Sequence, residues 1–336
     1  MAEGLARALD EMERRDLDVL VLGREGNARF VSDATRLWLA GTRPFAPGCV
    51  VVRATGAVHL LSVTDDGIPS DIPPERLYPM SWNPANIMGA VAAIPGVSGA
   101  RRIGVDGLTP LFEQLFATAL PDAQLVDGEA AMRAARRVKS PAQVERIRAA
   151  ISIAEDALSA TVDALHPGVR ERELKGVFEQ RMCELGTTTP AFEGTFCVGR
   201  RTLVSDRALE DGDLVSMKAG VLREGWEGSL ARTWPCGALA AENRRRWSNW
   251  NDRWRLVTDH CRAGAQVRDL AALWFPLAVH GVGLGYEGLS LDAVLEAGMV
   301  IQVELVVSDI LGSEMLLIGD DGYEQLTTLA HPAVGA

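Results

Sequence analysis

The stretch Arg136-Arg137-Val138-Lys139-Ser140-Pro141-Ala142-Gln143 divides the chain into two different patterns. Ser140 carries the side-chain acceptor that a helix N-cap needs. Pro141 has a fixed φ suited to the first turn, and Gln143 holds the capping-box position. A long amphipathic helix is therefore predicted from Ala142 to Leu165, broken by His166-Pro167-Gly168. Upstream, residues 4–15 have a helical period and Leu17–Leu22 (LDVLVL) reads as a buried strand. Cys49-Val50-Val51-Val52 and Val58-His59-Leu60-Leu61, separated by Ala54-Thr55-Gly56, predict a hairpin. A helix around Asn83–Ile94, a strand at Arg102–Val105, a helix over Thr109–Leu120 and a strand at Gln124-Leu125-Val126 complete an α/β layer. The predicted division is 1–132 and 133–336.

Downstream of the joint, Pro167-Gly168-Val169-Arg170-Glu171-Arg172-Glu173-Leu174 recurs loosely as Ala263-Gly264-Ala265-Gln266-Val267-Arg268-Asp269-Leu270. Each copy follows a helical stretch, Ala142–Leu165 or Glu242–Cys261, and opens another helix. Two related helix–turn–helix halves imply a pseudo-twofold domain around a central cavity.

A chain of 336 residues suits two domains, because single cores stop growing at roughly 250–300 residues. A net charge of −11 argues against nucleic acid or an acidic membrane as partner. No run approaches the roughly 20 apolar residues of a membrane helix, and the acidic N-terminal segment is unlike a secretory signal. The expected location is cytoplasmic. Cys49, Cys183, Cys197, Cys236 and Cys261 lie far apart without a CxxC pair, which excludes a zinc knuckle and predicts small buried side chains.

In order along the chain, several segments resemble the creatinase/aminopeptidase P/prolidase superfamily. They are Asn27-Ala28-Arg29-Phe30-Val31-Ser32, read as a first-domain strand; Arg136 to Pro141 with Ile147-Arg148; and Gly212-Asp213-Leu214-Val215. Arg232-Thr233, His280-Gly281-Val282-Gly283-Leu284, Gly298-Met299-Val300 with Glu304, and Asp321 to Thr327 follow. The resemblance covers nearly the whole chain. It implies an α+β, two-domain fold: a small α/β creatinase-like N-terminal domain and a C-terminal pita-bread domain with pseudo-twofold symmetry. Relatives of this layout form twofold dimers, so a homodimer is expected, with Trp234, Trp247, Trp250 and Trp254 offered as its contact.

Peptidases of this superfamily hold two divalent ions with two aspartates, a histidine and two glutamates. The resemblance places Lys218 and Ser229 at the aspartate positions, retains His280 and Glu304, and leaves Ser313 or Glu314 at the last glutamate. A lysine ammonium repels a dication and cannot ligate it while protonated. The expectation is a site with no metal and no cofactor. Two family histidines are also replaced, by Arg201 and Glu287.

His280, Glu304, Glu287 and Lys218 are the candidate catalytic residues. His280 is expected to titrate near neutral pH as an acid or base, and Lys218 to stand in for the metal charge. Arg201, Arg232, Trp226, Glu227, Ser229 and Glu314 are the candidate substrate contacts, the arginines for a carboxylate. The expected function is metal-independent hydrolysis of a C–N bond in a small, carboxylate-bearing nitrogenous metabolite. The alternatives are a metal-free lyase, cyclase or isomerase of specialised biosynthesis, and a catalytically inactive pseudopeptidase that binds a partner.

Overall fold

A computed structural model describes residues 3–34, 46–62, 64–238 and 240–332. The chain separates into two compact units, Met1–Arg136 and Arg137–Ala336. In the first, strands β1 (Val19–Leu22), β2 (Cys49–Val52), β3 (Ala57–Ser62), β4 (Leu77–Pro79), β5 (Arg102–Val105) and β6 (Gln124–Asp127) form one sheet in the order β4-β3-β2-β1-β5-β6. β1 runs antiparallel to β2 and parallel to β5. Helices α3 (Pro84–Ala93) and α4 (Pro110–Ala119) cover one face, where Ile87, Val91, Phe112 and Phe116 pack against Val19, Val21, Val50 and Val52. Strands buried on both faces read as continuous apolar runs, as CVVV and VLVL do, every residue of which is buried.

The segment read as a strand at Asn27–Ser32 is instead helix α2 (Glu25–Ser32), ended by Asp33 with a left-handed φ of 54°. A short apolar run does not distinguish helix from strand by periodicity. Here two carboxylates decide the matter. Gly23 N and Arg24 N donate to Asp106 at the helix entry, and Asn27 Nδ2 donates to Asp106 at 2.9 Å and to Glu129 at 2.7 Å.

The second unit opens with α6 (Pro141–Asp163), which follows α1 (Glu3–Arg14) and α5 (Glu129–Arg136) in chain order. Its capping box is complete: Gln143 N donates to Ser140 Oγ and Ser140 N to Gln143 Oε1. Helix α7 (Glu171–Glu184) follows. Then come β7 (Thr195–Val198), β8 (Leu214–Arg223), β9 (Trp226–Pro235), α8 (Ala241–Thr258) and α9 (Val267–Leu273). β10 (Leu277–Gly283), β11 (Gly285–Glu287), β12 (Val300–Val307), β13 (Ile310–Ile318) and β14 (Tyr323–Gln325) complete a sheet ordered β11-β10-β12-β13-β9-β8-β7, with β14 on β13.

The loose internal repeat is structural. Gly168 N donates to Leu209 O and Leu209 N returns to Val169 O; Gly264 N donates to Leu295 O and Leu295 N returns to Ala265 O. The residues that enter α7 and α9, Arg170 and Gln266, make matching isolated bridges to Ala208 and Val294. Each half thus pins a helix–turn–helix to the sheet in the same way.

The tryptophans do not form an outer contact. Trp247 and Trp250 are fully buried, Trp254 stacks on Trp250 at 5.2 Å, and all three pack against Ile301, Val303 and Leu305 in the core of their own unit. Trp234 packs with the other half's core. Trp247, Trp250 and Trp254 fill the space between α8 and the sheet and offer no outer contact, whereas Trp234 is half-buried.

Candidate functional site

Alternation along the strands selects the residues of one sheet face. Register pairs Lys218 with Ala231, Gly220 with Ser229 and Leu222 with Glu227; Ala231 faces Ser313, Ser313 faces Glu304, and Gln302 faces His280. Lys218, Glu227, Ser229, His280, Gln302, Glu304 and Ser313 therefore share a face, because side chains two apart on a strand point the same way. Gly228 lets α6 approach behind that face: a Cβ there would lie 2.2 Å from the Ala150 carbonyl carbon.

A cavity of about 540 Å³ opens over this face. Its charged and polar lining is Lys218, Glu227, His280, Gln302 and Glu304; Val267, Leu277, Leu289 and Leu291 supply an apolar wall. Lys218 Nζ lies 2.6 Å from Glu304 Oε2, an ion pair without the alignment of a hydrogen bond, and 5.5 Å from the centre of the Phe192 ring. Beneath them, Gln302 Nε2 donates to Ser229 Oγ and Ser313 Oγ, both at 3.1 Å, and Ser229 Oγ donates to Glu227 Oε1 at 2.8 Å.

Burial pushes the Glu227 carboxyl above its usual range, opposed by the Ser229 hydrogen bond and the Lys218 charge. Burial, reinforced by the Lys218 cation, pushes the His280 imidazole down to about 4 against the pull of Glu304. His280 is thus neutral at pH 7, with its ring 4.7 Å from that of Tyr286. This corrects the expectation of titration near neutrality, because desolvation outweighs the neighbouring carboxylate.

Of the ten site residues read from the sequence, Lys218, Glu227, His280 and Glu304 line the cavity, and Ser229 lies directly beneath. The other five lie elsewhere. Glu287 accepts from Lys139 Nζ at 2.6 Å, and that lysine side chain is 1% exposed. Arg201 closes a loop around buried Glu171, which also accepts from Val198 N, Ser205 N and Ser205 Oγ. Trp226 is buried one position out of phase with Glu227. Arg232 and Glu314 form a fully buried ion pair of 2.9 Å on the opposite face, so Ser313, not Glu314, holds the cavity-side position. Gln302 was missed, although it stands two residues before Glu304 and alternation puts both on one face.

The donor set does not fit a pair of divalent ions. An ammonium sits against one retained carboxylate, and the hydroxyls of Ser229 and Ser313 are engaged by the amide of Gln302. Among the described residues no group of three His, Cys, Asp or Glu side chains is arranged to hold a metal. Two dications need several anionic ligands to offset their charge.

The family model for metallopeptidase family M24 matches residues 145–323, and that for the creatinase/prolidase N-terminal domain matches residues 5–138. The chain is 23% identical to the Xaa-Pro dipeptidase of Pyrococcus horikoshii, across 97% of both proteins. It is 27% identical to the methionine aminopeptidase of Treponema pallidum over 57% of this chain and 86% of that one. The crystal structure of the prolidase from Pyrococcus horikoshii OT3 superposes with a TM-score of 0.80 at 20% identity, covering 98% of this chain and 99% of that one. That likeness establishes the two-domain creatinase and pita-bread fold. The expectation of a metal-independent hydrolase of a small nitrogenous metabolite is overturned here. The matched family and the relatives are peptidases, and neither supports the alternatives set beside that expectation.

Proposed function

Because the chain belongs to metallopeptidase family M24, we propose that its C-terminal unit takes a short peptide as substrate. The observation that carries this reading is one cavity of about 540 Å³ that joins a lysine, two carboxylates and a neutral imidazole to an apolar wall. Pockets of roughly 300–1,000 Å³ with a few placed polar groups suit small ligands. A dipeptide brings the complementary parts: charged ends, a polar amide and side chains. The Pyrococcus horikoshii relative is an Xaa-Pro dipeptidase, which makes Xaa-Pro dipeptides the first substrates to try.

In this reading Lys218 swings from Glu304 to a carbonyl or carboxylate oxygen of the peptide, and His280, uncharged, donates or accepts a hydrogen bond at the amide. The apolar wall of Val267, Leu277, Leu289 and Leu291 seats a side chain. The test is a dipeptide panel including Xaa-Pro members, followed by calorimetry for binding and by chromatography for released amino acids. Saturable binding that Lys218→Met weakens, with release of the constituent amino acids, supports the reading. A panel that neither binds nor is cleaved at millimolar concentration overturns it.

A further inference from the structure

We infer that the Glu227 carboxylate is the seat of a cationic amine, so that the substrate of this cavity presents a free amino terminus. The inference rests on the short-peptide reading and adds which end of the peptide is recognised, and by what.

Glu227 is only 4% exposed, yet it lines the cavity. Among the described residues its one side-chain hydrogen bond is from Ser229 Oγ, a neutral donor. Among the described residues it forms no ion pair. The cation that acts on it, Lys218, is held at 2.6 Å by Glu304. Glu287, a second carboxylate close enough to be felt, is itself matched to Lys139. The charged side chains lining the cavity are Lys218, Glu304 and Glu227: one ammonium against two carboxylates. One negative charge is left without a partner.

A buried carboxylate without a counter-ion is costly, and the cost is recovered by whatever brings a cation to it. The neighbours decide which cation. A divalent ion would need further anionic ligands, but the other two carboxylates nearby are each held by a lysine, Glu304 by Lys218 and Glu287 by Lys139. A primary ammonium needs only one charge-assisted acceptor and space for its substituent. The apolar wall of the same cavity offers that space to the first side chain.

The resemblance to peptidases does not supply this residue, because none of the family's ligand positions falls at Glu227.

The experiment compares leucyl-proline, N-acetyl-leucyl-proline and isoamylamine by calorimetry on the full chain and on Glu227→Gln. The glutamine keeps the side-chain shape and the oxygen that Ser229 donates to, and circular dichroism with thermal melting checks its fold. Acetylation is expected to weaken binding roughly tenfold or more, the worth of one charge-assisted hydrogen bond. Glu227→Gln should cost the free peptide a similar factor and leave the acetylated peptide unchanged. If acetylated and free peptides bind alike, or if Glu227→Gln weakens both equally, the amine seat is wrong while the short-peptide reading survives. If no peptide binds but isoamylamine binds in a Glu227-dependent way, the seat stands and the peptide reading falls. If none of the three probes binds, both are overturned.

Discussion

Lys218 on β8 and Glu304 on β12 meet at 2.6 Å although β13 and β9 run between their strands in the sheet. In a flat sheet three strand spacings of about 4.8 Å would hold the two backbones about 14 Å apart. Only a strongly curved sheet brings the side chains together, so the ion pair marks the floor of the concave face. Each partner is partly exposed, at 29% and 21%, which places the pair between surface bridges and buried ones.

Removing either partner alone should cost about 1–3 kcal/mol, the upper part of that range arising from the charge left behind. Lys218→Met and Glu304→Gln, with the double variant, complete a cycle whose coupling is expected at about 0.5–3 kcal/mol. Urea unfolding measures it. Additive single effects would show that the two side chains do not interact in solution.

Arg232 is buried on the sheet face away from the cavity, where it should stabilise the domain. Its guanidinium donates to Glu314 at 2.9 Å and to the carbonyls of Ala231, Ser313 and Leu329, and the side chain is 0% exposed. Arg232→Met should lose about 3–5 kcal/mol, since Glu314 would be left buried without its partner. Arg232→Lys should rescue little, because an ammonium cannot reproduce the planar fork. A soluble Arg232→Met protein melting like wild type would refute the assignment.

Much of this frame was legible in the sequence because local chemistry specified it. Ser140, Pro141 and Gln143 announced α6, and the glycine turns at Gly168 and Gly264 announced the two halves. Lys218 and Ser229 stood out because the surrounding strand pattern was kept while the side chain changed charge. What stayed hidden depended on which face a strand residue takes, and on contacts far apart in sequence. Arg232 and Glu314 read as site residues because both are charged and near the right place, yet a shift of one residue sends a side chain through the sheet. Arg201 could not be placed without knowing that Glu171 lies buried beside its loop. Gln302 was overlooked because its neutral amide carries no chemical signature alone.

His331 makes stability depend on pH on the acid side. Its Nε2 lies 3.2 Å from Glu314 Oε1 and its ring 4.4 Å from that of Trp250. Burial pushes its pKa below the ordinary 6.5, and the adjoining Arg232 charge adds to that, against the pull of Glu314. In the folded state the imidazole is therefore neutral where the unfolded chain already binds a proton. Stability should be fully present above about pH 6.5 and decline as the pH falls from there toward the lower folded pKa. His331→Gln should lose that component, so its melting temperature should fall less than the wild type's between pH 7 and pH 5. Equal falls in the two proteins would exclude His331 as the source.

Restoring carboxylates should restore metal binding. Lys218→Asp removes the ammonium beside Glu304, and Ser229→Asp and Ser313→Glu add anionic ligands on the same face, next to retained His280 and Glu304. The triple change turns the face from one with an ion pair into a concentration of negative charge. Without metal it should therefore be less stable than wild type. A dication that binds only the folded state stabilises it by about 2.7 kcal/mol at a hundredfold excess over its Kd, or roughly 5–10 °C for a domain of this size. The expected result is a melting temperature for the triple variant that rises in millimolar manganese and falls in chelator, while the wild type is indifferent to both. A wild-type protein that gains as much from manganese would show that Lys218 leaves Glu304 and makes room for the ion. That result would overturn the misfit between these residues and the family's metals.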